Sequence, residues 1–376
     1  MTNYRNRRKK PINRTFEVVV AVLAVLLVCC AYAGAIDPQR FILAPFLGLA
    51  FMPILVLLAL ALICALIWRR WIAVAVVIVS LMATAPIIKL FMPLNSSDEA
   101  PPVPADPTMI LKVMTYNVLS FNYNEPNLSA EPSATMRLIL DANPDVVLLQ
   151  EGAPGGVEFE EITSIVPYLS EIKKKYPYCY YGNEGLNLMS KYPFTTQLLG
   201  MPQHERSPLG YNRNGLSYLA RAFDLQLPSG KQIRLVDFRL QSYHLSFGKN
   251  QVVRVSPDVK PSRLERMRRS FALRDENATA LRKVIDDSPA NLIVCGDMND
   301  ITASHVYRMI CGNDLKDAWA EAGNGYAYTY NRFGLYYRID HILYRGAIRA
   351  IDAERLKGGS SDHYPIMVTF DMDINM

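Results

Sequence analysis

Long apolar stretches dominate the first quarter of the chain. The three runs are Phe16–Ala35, Phe41–Trp68 and Trp71–Phe91, and residues 15–94 hold only six charged side chains. Each run is near or above the roughly 20 residues that a helix needs to cross a bilayer. Helices buried in a soluble core are the alternative interpretation, but three consecutive runs with almost no polar face favour the membrane. The pattern therefore predicts three transmembrane helices over residues 16–94, with the lipid bilayer as a partner.

Basic residues predict the orientation of these helices. The tail, residues 1–15, contains six basic side chains and no acidic one, and the turn before the third run carries Arg69 and Arg70. The positive-inside rule places both segments in the cytoplasm, so three crossings place residue 95 onward outside. A cleaved signal peptide is an alternative for the first run alone, because that run follows a basic leader and ends in AYAGA. The prediction is a multi-pass cell-membrane protein whose C-terminal domain is extracytoplasmic.

The pattern changes after residue 94. Residues 95–107 read NSSDEAPPVPADP, which is typical of a semi-extended, Pro-rich linker. Over residues 108–376, short apolar runs such as DVVLLQ and NLIVC predict buried strands, and SATMRLILDANP predicts a helix that ends at Asn143-Pro144. Strands interleaved with covering helices favour an α/β fold with layers around stacked sheets.

Polar residues collect at the ends of five of these predicted strands. The segments are TYNV (115–118), LLQE (148–151), GDMND (296–300), RIDHI (338–342) and SDHYP (361–365). Open α/β folds build their sites at such strand ends. Carboxylate and amide oxygens suit a hard divalent cation such as Mg²⁺, and a His beside an Asp suits an oriented acid or base. Together these residue types indicate metal-assisted attack on a phosphate ester.

The five segments, in this order, closely resemble the motifs of the endonuclease/exonuclease/phosphatase superfamily, which has the DNase I-like fold. The resemblance covers about residues 108–376. It implies a four-layer α/β sandwich with the activity of a metal-dependent phosphoric ester hydrolase. It also implies Mg²⁺ as the cofactor, with Mn²⁺ as an alternative.

The resemblance implies a role for each candidate residue. The metal-site positions of the family match three residues of this chain: Asn117, Glu151 and Asp362. Of these, Glu151 is the principal ligand. Asp297 matches the carboxylate that orients or deprotonates the attacking water, and Asn299 matches the amide that contacts the phosphoryl group. His363 matches the catalytic His, and Asp340 matches its carboxylate partner.

One position departs from the family pattern. Many members carry a His in a strand-end motif that reads HLQS, where this chain reads RLQS with Arg239. Arg239 cannot act as a base, because arginine does not deprotonate in proteins, but its planar fork can hold a phosphate bidentately. We therefore predict that Arg239 clamps the substrate phosphate, with a surface residue as the alternative. His244, in the following SYHLS segment, is predicted to be a loop histidine without a catalytic duty.

Charge excludes one class of partner. The formal charge of +5 comes from the tail, so that residues 108–376 are neutral, which is not the footprint of a strong duplex binder. Residues 239–283 nevertheless hold eleven basic side chains against four acidic ones. Such a run indicates either contact with phosphates or anionic lipid, or the solvated face of a helix. The chain shows no CxxC or Cys/His spacing of a zinc site.

Three functions remain open at this stage. The first is a membrane-anchored nuclease that hydrolyses the phosphodiesters of nucleic acid. The second is a lipid-directed phosphodiesterase, similar to sphingomyelinases or to the multi-span relatives linked with glycolipid-anchor remodelling. The third, a non-enzymatic binding module, is disfavoured because every expected Asp and His is present. The tyrosines of residues 326–337 either stack on a base or sugar or pack a loop and an edge strand, and no protein partner can be inferred.

Overall fold

The computed structural model of the chain describes residues 11–95, 104, 106–124, 127, 131–153, 157–182, 185–200, 219–242, 263–332, 334 and 336–372. Most of the predicted tail and linker, His244 and much of the basic run lie outside these residues. The chain divides into two compact units, one formed by Met1–Lys89 with Ala303–His305, the other by Leu90–Thr302 with Val306–Met376. The exact limits of the predicted tail, membrane, linker and catalytic segments stay a prediction.

The first unit contains three long helices, α1 (Pro11–Ala31), α2 (Ala44–Ile67) and α3 (Trp71–Phe91). All three are long and apolar enough to cross a membrane. The prediction of three long apolar helices is therefore confirmed. Arg69 adopts a left-handed conformation with a φ of +52° in the turn between the second and third helices.

The second unit is built from short strands and helices. Its strands are β1 (Ile110–Asn117), β2 (Val146–Gln150), β3 (Tyr178–Tyr181), β4 (Asn187–Ser190), β5 (Phe194–Gly200), β6 (Leu219–Gln226), β7 (Gln232–Arg239), β8 (Leu292–Asp297), β9 (Lys316–Asp317), β10 (Asp340–Arg345), β11 (Arg349–Arg355) and β12 (Ile366–Asp371). Its helices are α4 (Ala134–Ala142), α5 (Leu169–Lys175), α6 (Arg263–Asp286), α7 (His305–Cys311) and α8 (Ala318–Ala322).

The strands form two mixed sheets with the orders β11-β12-β1-β2-β4-β3 and β5-β6-β7-β8-β10-β9. Alternate residues of both sheets, among them Val113, Leu148, Leu235 and Ile293, meet in one buried cluster between the sheets. A second cluster packs β1 and β2 against α4 and α5, and a third packs β7 and β8 against α6 and α7. Each sheet has apolar side chains on both faces, and each face needs a covering layer. The two sheets cover one another, and helices cover their outer faces, so the predicted DNase I-like four-layer α/β sandwich is confirmed.

Strand register brings the predicted motifs to one end of both sheets. In the first sheet, β1 and β2 run parallel and pair Asn117 with Gln150, the residue before Glu151. In the second sheet, Asp297 pairs with Arg239 on the parallel neighbour β7 and with Asp340 on the antiparallel neighbour β10. The ends of parallel strands and the beginning of the antiparallel strand therefore share one edge.

A buried polar contact joins the two sheets just below this edge. The amide of Gln150 donates a hydrogen bond from Nε2 to Asp237 Oδ1 at 2.5 Å and to Thr115 Oγ1 at 3.1 Å. None of these three side chains is exposed to solvent. Because a buried polar group is stable only with its partner, this contact fixes the position of β2 relative to β7.

Candidate active site

Asp297 lies at the centre of the site, at the end of β8, and is fully buried. Its Oδ1 accepts the backbone N–H of Asn299 at 2.8 Å. Its Oδ2 accepts the side-chain amides of Asn299 and of Asn117, both at 3.0 Å. A carboxylate offers about four lone-pair sites, so these three bonds orient the group and leave about one site for a water or substrate atom.

Asn117 connects Asp297 to Glu151. Its Nδ2 also donates to Glu151 Oε1 at 3.0 Å, while its Oδ1 accepts the backbone N–H of Leu119 at 3.1 Å. Glu151 follows the last residue of β2 and takes a left-handed φ of +53°, an uncommon conformation for a residue with a Cβ. The chain leaves the sheet at this turn. A left-handed conformation in a residue with a Cβ is a form of backbone strain that is found at functional positions.

Arg239 lies within the same cluster. Its Nη2 is 2.5 Å from Glu151 Oε1, and its Nε is 3.9 Å from Asp297 Oδ2. About a third of the side chain is exposed. The guanidinium therefore partly neutralises two neighbouring carboxylates and still faces solvent. Its predicted role as a phosphate clamp stays a prediction.

His363 and Asp340 form the predicted pair. The imidazole Nδ1 lies 2.8 Å from Asp340 Oδ2, and both side chains are buried. Ser361 fixes this segment to β1, because its hydroxyl donates to the carbonyl of Asn117 at 2.7 Å and accepts the backbone N–H of His363 at 3.1 Å. Tyr330 packs edge to face on the imidazole, with 5.3 Å between ring centroids.

The protein environment raises the pKa of two of these groups, Asp297 and His363. Burial, reinforced by the charge of Asp340, raises the pKa of Asp297 to about 6, against the opposing charges of His363 and Arg239. Burial alone would lower the pKa of His363, but the charge and hydrogen bond of Asp340, with Asp297 and Asp362 behind it, raise that pKa to about 10. At neutral pH His363 is therefore a cation, and Asp297 is a stronger base than an ordinary carboxylate.

The raised pKa of His363 makes a testable contribution to stability. A base with a higher pKa in the folded than in the unfolded chain stabilises the fold below its unfolded pKa, here about 6.5. That stabilisation is lost as the pH rises through about 10. We expect the difference in thermal midpoint between the metal-free wild type and His363→Gln to shrink between pH 6.5 and 10. A difference that is constant with pH would show that the Asp340 pair does not hold His363 protonated.

Asn299 is held in place by a residue that sequence reasoning missed. Asn299 has a φ of +50°, and its amide also donates to the carbonyl of Leu240 at 2.9 Å. The fully buried Arg274 donates from Nη1 to the carbonyls of Asn299, at 2.9 Å, and of Gln241, at 3.1 Å. The sequence carried a signal for this role. Arg274 follows the buried Phe271 by three residues, a helical spacing that puts both side chains on the buried face of α6. In this structure both amide hydrogens of Asn299 thus serve positioning, and its predicted contact with the phosphoryl group stays a prediction.

Asp362 stands apart from the other candidates. Its carboxylate is mostly buried and pairs with Arg332, whose Nε lies 3.3 Å from Oδ2. His341, the residue after Asp340, is fully buried; its Nδ1 lies 3.1 Å from Arg338 Nη1, and its ring packs beside Tyr307. The structure thus brings together seven of the eight candidate residues through direct contacts, and Asp362 adjoins them through His363.

The donor set fits a divalent cation on the Glu151 side of the cluster. Ligand atoms of Asp297, Asp340 and His363 lie within 4.8 Å of one another, but a protonated imidazole does not bind a metal. Glu151 and Asp297, by contrast, present carboxylate oxygens around a shared amide, and Asp340 Oδ1 is buried without a hydrogen-bond partner among the described residues. Hard oxygen donors of this kind suit Mg²⁺.

Comparison with known sequences places the chain. Residues 114–363 match the model of the endonuclease/exonuclease/phosphatase family, and this range includes all eight candidate residues. The chain belongs to this family. Members of the family hydrolyse phosphate esters, so the fold is that of a phosphoesterase. Residues 13–90 match a domain of unknown function, and no curated protein matches the chain.

Solved structures of other family members resemble the chain at low identity. The endonuclease/exonuclease/phosphatase protein of Beutenbergia cavernae is 18% identical, with 70% of this chain and 72% of that chain covered and a TM-score of 0.48. Sphingomyelinase C of Streptomyces griseocarneus is 17% identical, with 69% and 99% covered and a TM-score of 0.45. The beta toxin of Staphylococcus aureus, solved with bound magnesium ions, is 16% identical, with 69% and 98% covered and a TM-score of 0.43.

Proposed function

We propose that this chain is a membrane-anchored, Mg²⁺-dependent phosphodiesterase with nuclease-like activity. The observation that supports the proposal most strongly is the alignment of Asp297 with Asp340 and Arg239 across three adjacent strands, with His363 paired to Asp340. This arrangement combines a base, a cation that donates hydrogen bonds and a phosphate clamp within one cluster. Mn²⁺ is an alternative metal.

In the proposed mechanism, Asp297 positions the attacking water. Its three hydrogen bonds hold the remaining lone pair in one direction, and its raised pKa, about 6, favours acceptance of the water proton. His363 donates from the imidazole nitrogen that Asp340 does not use, and its positive charge stabilises charge on the phosphoryl or leaving oxygen. Asn117 orients Glu151 and Asp297 through its amide.

Glu151 would hold the metal, with Asn117 and Asp362 as the further proposed ligands. Asp362 is paired with Arg332 in this structure, so a ligand role for Asp362 would require that ion pair to break. When bound there, Mg²⁺ supplies Lewis-acid stabilisation of charge on the phosphate oxygens. As the structure shows Asn117, its Nδ2 faces the carboxylates, so a ligand role for Asn117 would require the amide to turn. Glu151 is therefore the residue on which the proposed metal site depends.

Arg239 is proposed to clamp the phosphate through charge and planar geometry. Arg239→Lys keeps the charge but loses the fork, so kcat/KM should fall by roughly 10- to 150-fold, equivalent to the loss of a charge-assisted contact of about 1.5–3 kcal/mol. Arg239→His restores the common family residue and should retain part of the activity, with a new pH dependence near the imidazole pKa of about 6.5. The matched control is His244→Ala, which should be far milder than His363→Ala. If Arg239→Lys leaves kcat/KM unchanged while His244→Ala lowers it as much as His363→Ala does, then His244, and not Arg239, has the family role.

A lipid-directed phosphodiesterase is the second candidate, supported by the three long apolar helices. A panel of substrates separates the two candidates. The full chain, purified in a neutral detergent, would be assayed with Mg²⁺ on single-stranded and duplex DNA, bis-p-nitrophenyl phosphate, sphingomyelin and inositol phosphates. We expect turnover of bis-p-nitrophenyl phosphate and of single strands. Turnover of sphingomyelin alone would support the lipid-directed candidate and overturn the nuclease-like one.

The catalytic domain is proposed to lie on the extracytoplasmic side. The proposal depends on the six basic residues of the tail and on Arg69 and Arg70. Two reporters would be fused after residue 376. The one that works only outside the cytoplasm should give a signal, and the one that works only in the cytoplasm should give none. The opposite pair of results would show that the domain lies in the cytoplasm and that its substrate is cytoplasmic.

A further inference from the structure

Arginines recur along the C-terminal segment, and all but one of those described there have a carboxylate partner. The pairs are Arg332–Asp362, Arg338–Asp317, Arg345–Asp314 and Arg349–Asp371. Arg355, the last residue of β11, has no carboxylate within ion-pair distance among the residues that the structure describes. Its charge is therefore not neutralised within that part of the protein.

Two tyrosine rings hold Arg355 in place instead. The guanidinium carbon lies 4.3 Å from the ring centroid of Tyr328 and 4.8 Å from that of Tyr364. The two rings meet edge to face, 5.7 Å apart. Cation–π contacts use the face of the guanidinium and leave its in-plane N–H groups without acceptors. Because Nη1 is buried, without a hydrogen-bond partner in the described chain, a phosphate would be bound through Nε or Nη2. The result is a positioned cation with unused donors.

Backbone hydrogen bonds connect this cation to the segment that carries His363, and the cluster of Arg355, Tyr328, Tyr336 and Tyr364 is called the rim. Tyr364 directly follows His363, and its backbone N–H donates to the carbonyl of Thr329 at 2.7 Å. The residue after Arg355, Leu356, donates its backbone N–H to the carbonyl of Pro365 at 3.1 Å. Arg355 is thus anchored to the segment that carries the proposed catalytic His.

An exposed aromatic ring completes the rim. Tyr336 is 52% exposed, and its ring packs edge to face on Tyr328 at 5.1 Å. The hydroxyl of Tyr326 donates to the carbonyl of Tyr336 and holds its backbone. The other described tyrosines of this segment are at least half-buried and pack the rim, as one of the two sequence interpretations predicted. Tyr336 is the one exposed tyrosine among those described, and an exposed aromatic ring can stack on a nucleic-acid base.

We propose that Arg355 and Tyr336 form a nucleotide subsite beside His363, in which Arg355 binds a phosphate next to the scissile one and Tyr336 stacks on a base. The inference rests on the proposed function and names its substrate class, single-stranded nucleic acid. A phosphocholine headgroup carries one phosphate and a quaternary ammonium, and an unneutralised guanidinium repels the ammonium. A polynucleotide, in contrast, offers a further phosphate on either side of each bond.

Binding without turnover tests the subsite directly. A fluorescein-labelled oligothymidine is titrated in EDTA against the full chain in neutral detergent, and anisotropy is followed over a range of salt. Arg355→Gln should weaken binding by about 10-fold and reduce the slope of log K against log salt by about 0.7, the value for one phosphate contact on a single strand. Arg355→Lys should retain the slope, and Arg349→Gln, on the same strand but paired with Asp371, should change neither quantity. Tyr336→Ala should weaken binding by roughly 5- to 100-fold with the slope unchanged.

Two small esters separate the subsite from the chemistry. One is thymidine 5′-(p-nitrophenyl phosphate), and the other carries an additional 3′-phosphate. Arg355→Gln should raise KM for the second ester by about 10-fold and leave the first within twofold. An equal effect on both esters, or an unchanged salt slope, would overturn the subsite. The wild type could hydrolyse neither ester while Arg355→Gln still reduces the slope of log K against log salt. That result would overturn the proposed function and support the subsite.

Discussion

Asp297→Asn should abolish nearly all turnover while the fold persists. The substitution removes the only group that the proposed mechanism uses as a base, and proton transfer by a positioned side chain contributes about 10²- to 10⁴-fold. We therefore expect kcat to fall by about that factor. The amide is nearly isosteric with the carboxylate, so the hydrogen bonds from Asn299 and Asn117 are disturbed with little change in packing.

The thermal midpoint separates this effect from unfolding. Since burial and the charge of Asp340 make the Asp297 carboxylate costly at neutral pH, the metal-free variant should be at least as stable as the wild type at pH 7. Asp352→Asn, on the exposed side of β11, is the matched control and should leave both kcat and the midpoint unchanged. An Asp297→Asn variant that retains more than a tenth of the wild-type kcat would rule out the assignment of Asp297 as the base.

Glu151→Gln should produce the second large effect, through the metal. The carboxylate is the principal oxygen donor of the proposed site, and replacing even an outer partner of a metal ligand costs roughly 10- to 100-fold in affinity or activity. Loss of Glu151 should cost at least that in apparent Mg²⁺ affinity, measured by Mg²⁺-dependent thermal stabilisation as well as by rate. The exposed Glu161→Gln is the control. Near wild-type rates at saturating Mg²⁺ would contradict the metal assignment.

The strand-end motifs could be predicted because burial dictates their pattern. Strands such as Val146–Gln150 and Leu292–Asp297 are buried throughout, so they appear in the sequence as apolar runs that end in polar residues. The four-layer fold and the pairing of His363 with Asp340 followed from these motifs and from the resemblance that they carry. Register then places Arg239 beside Asp297, at the position where its phosphate-binding role was predicted.

Other features depend on contacts that no local pattern records. The edge strand Arg349–Arg355 was missed, because the register shift between Ala350 and Asp352 puts two buried residues in succession and interrupts its alternation of buried and exposed positions. The left-handed turns at Glu151 and Asn299 have no Gly to mark them. The ion pair between Arg239 and Glu151 joins strands of different sheets, and only the packing of one sheet on the other brings the two side chains together.

Removing and restoring Mg²⁺ shows whether the chain hydrolyses a phosphodiester with the help of a metal. The full chain in neutral detergent is assayed on bis-p-nitrophenyl phosphate with Mg²⁺, after removal of the metal by EDTA, and after Mg²⁺ is restored. We expect turnover with Mg²⁺, its loss in EDTA and its recovery when Mg²⁺ is restored, and none of these for Asp297→Asn prepared in parallel. Equal rates with and without the metal, or equal rates in the wild type and Asp297→Asn, would contradict this expectation.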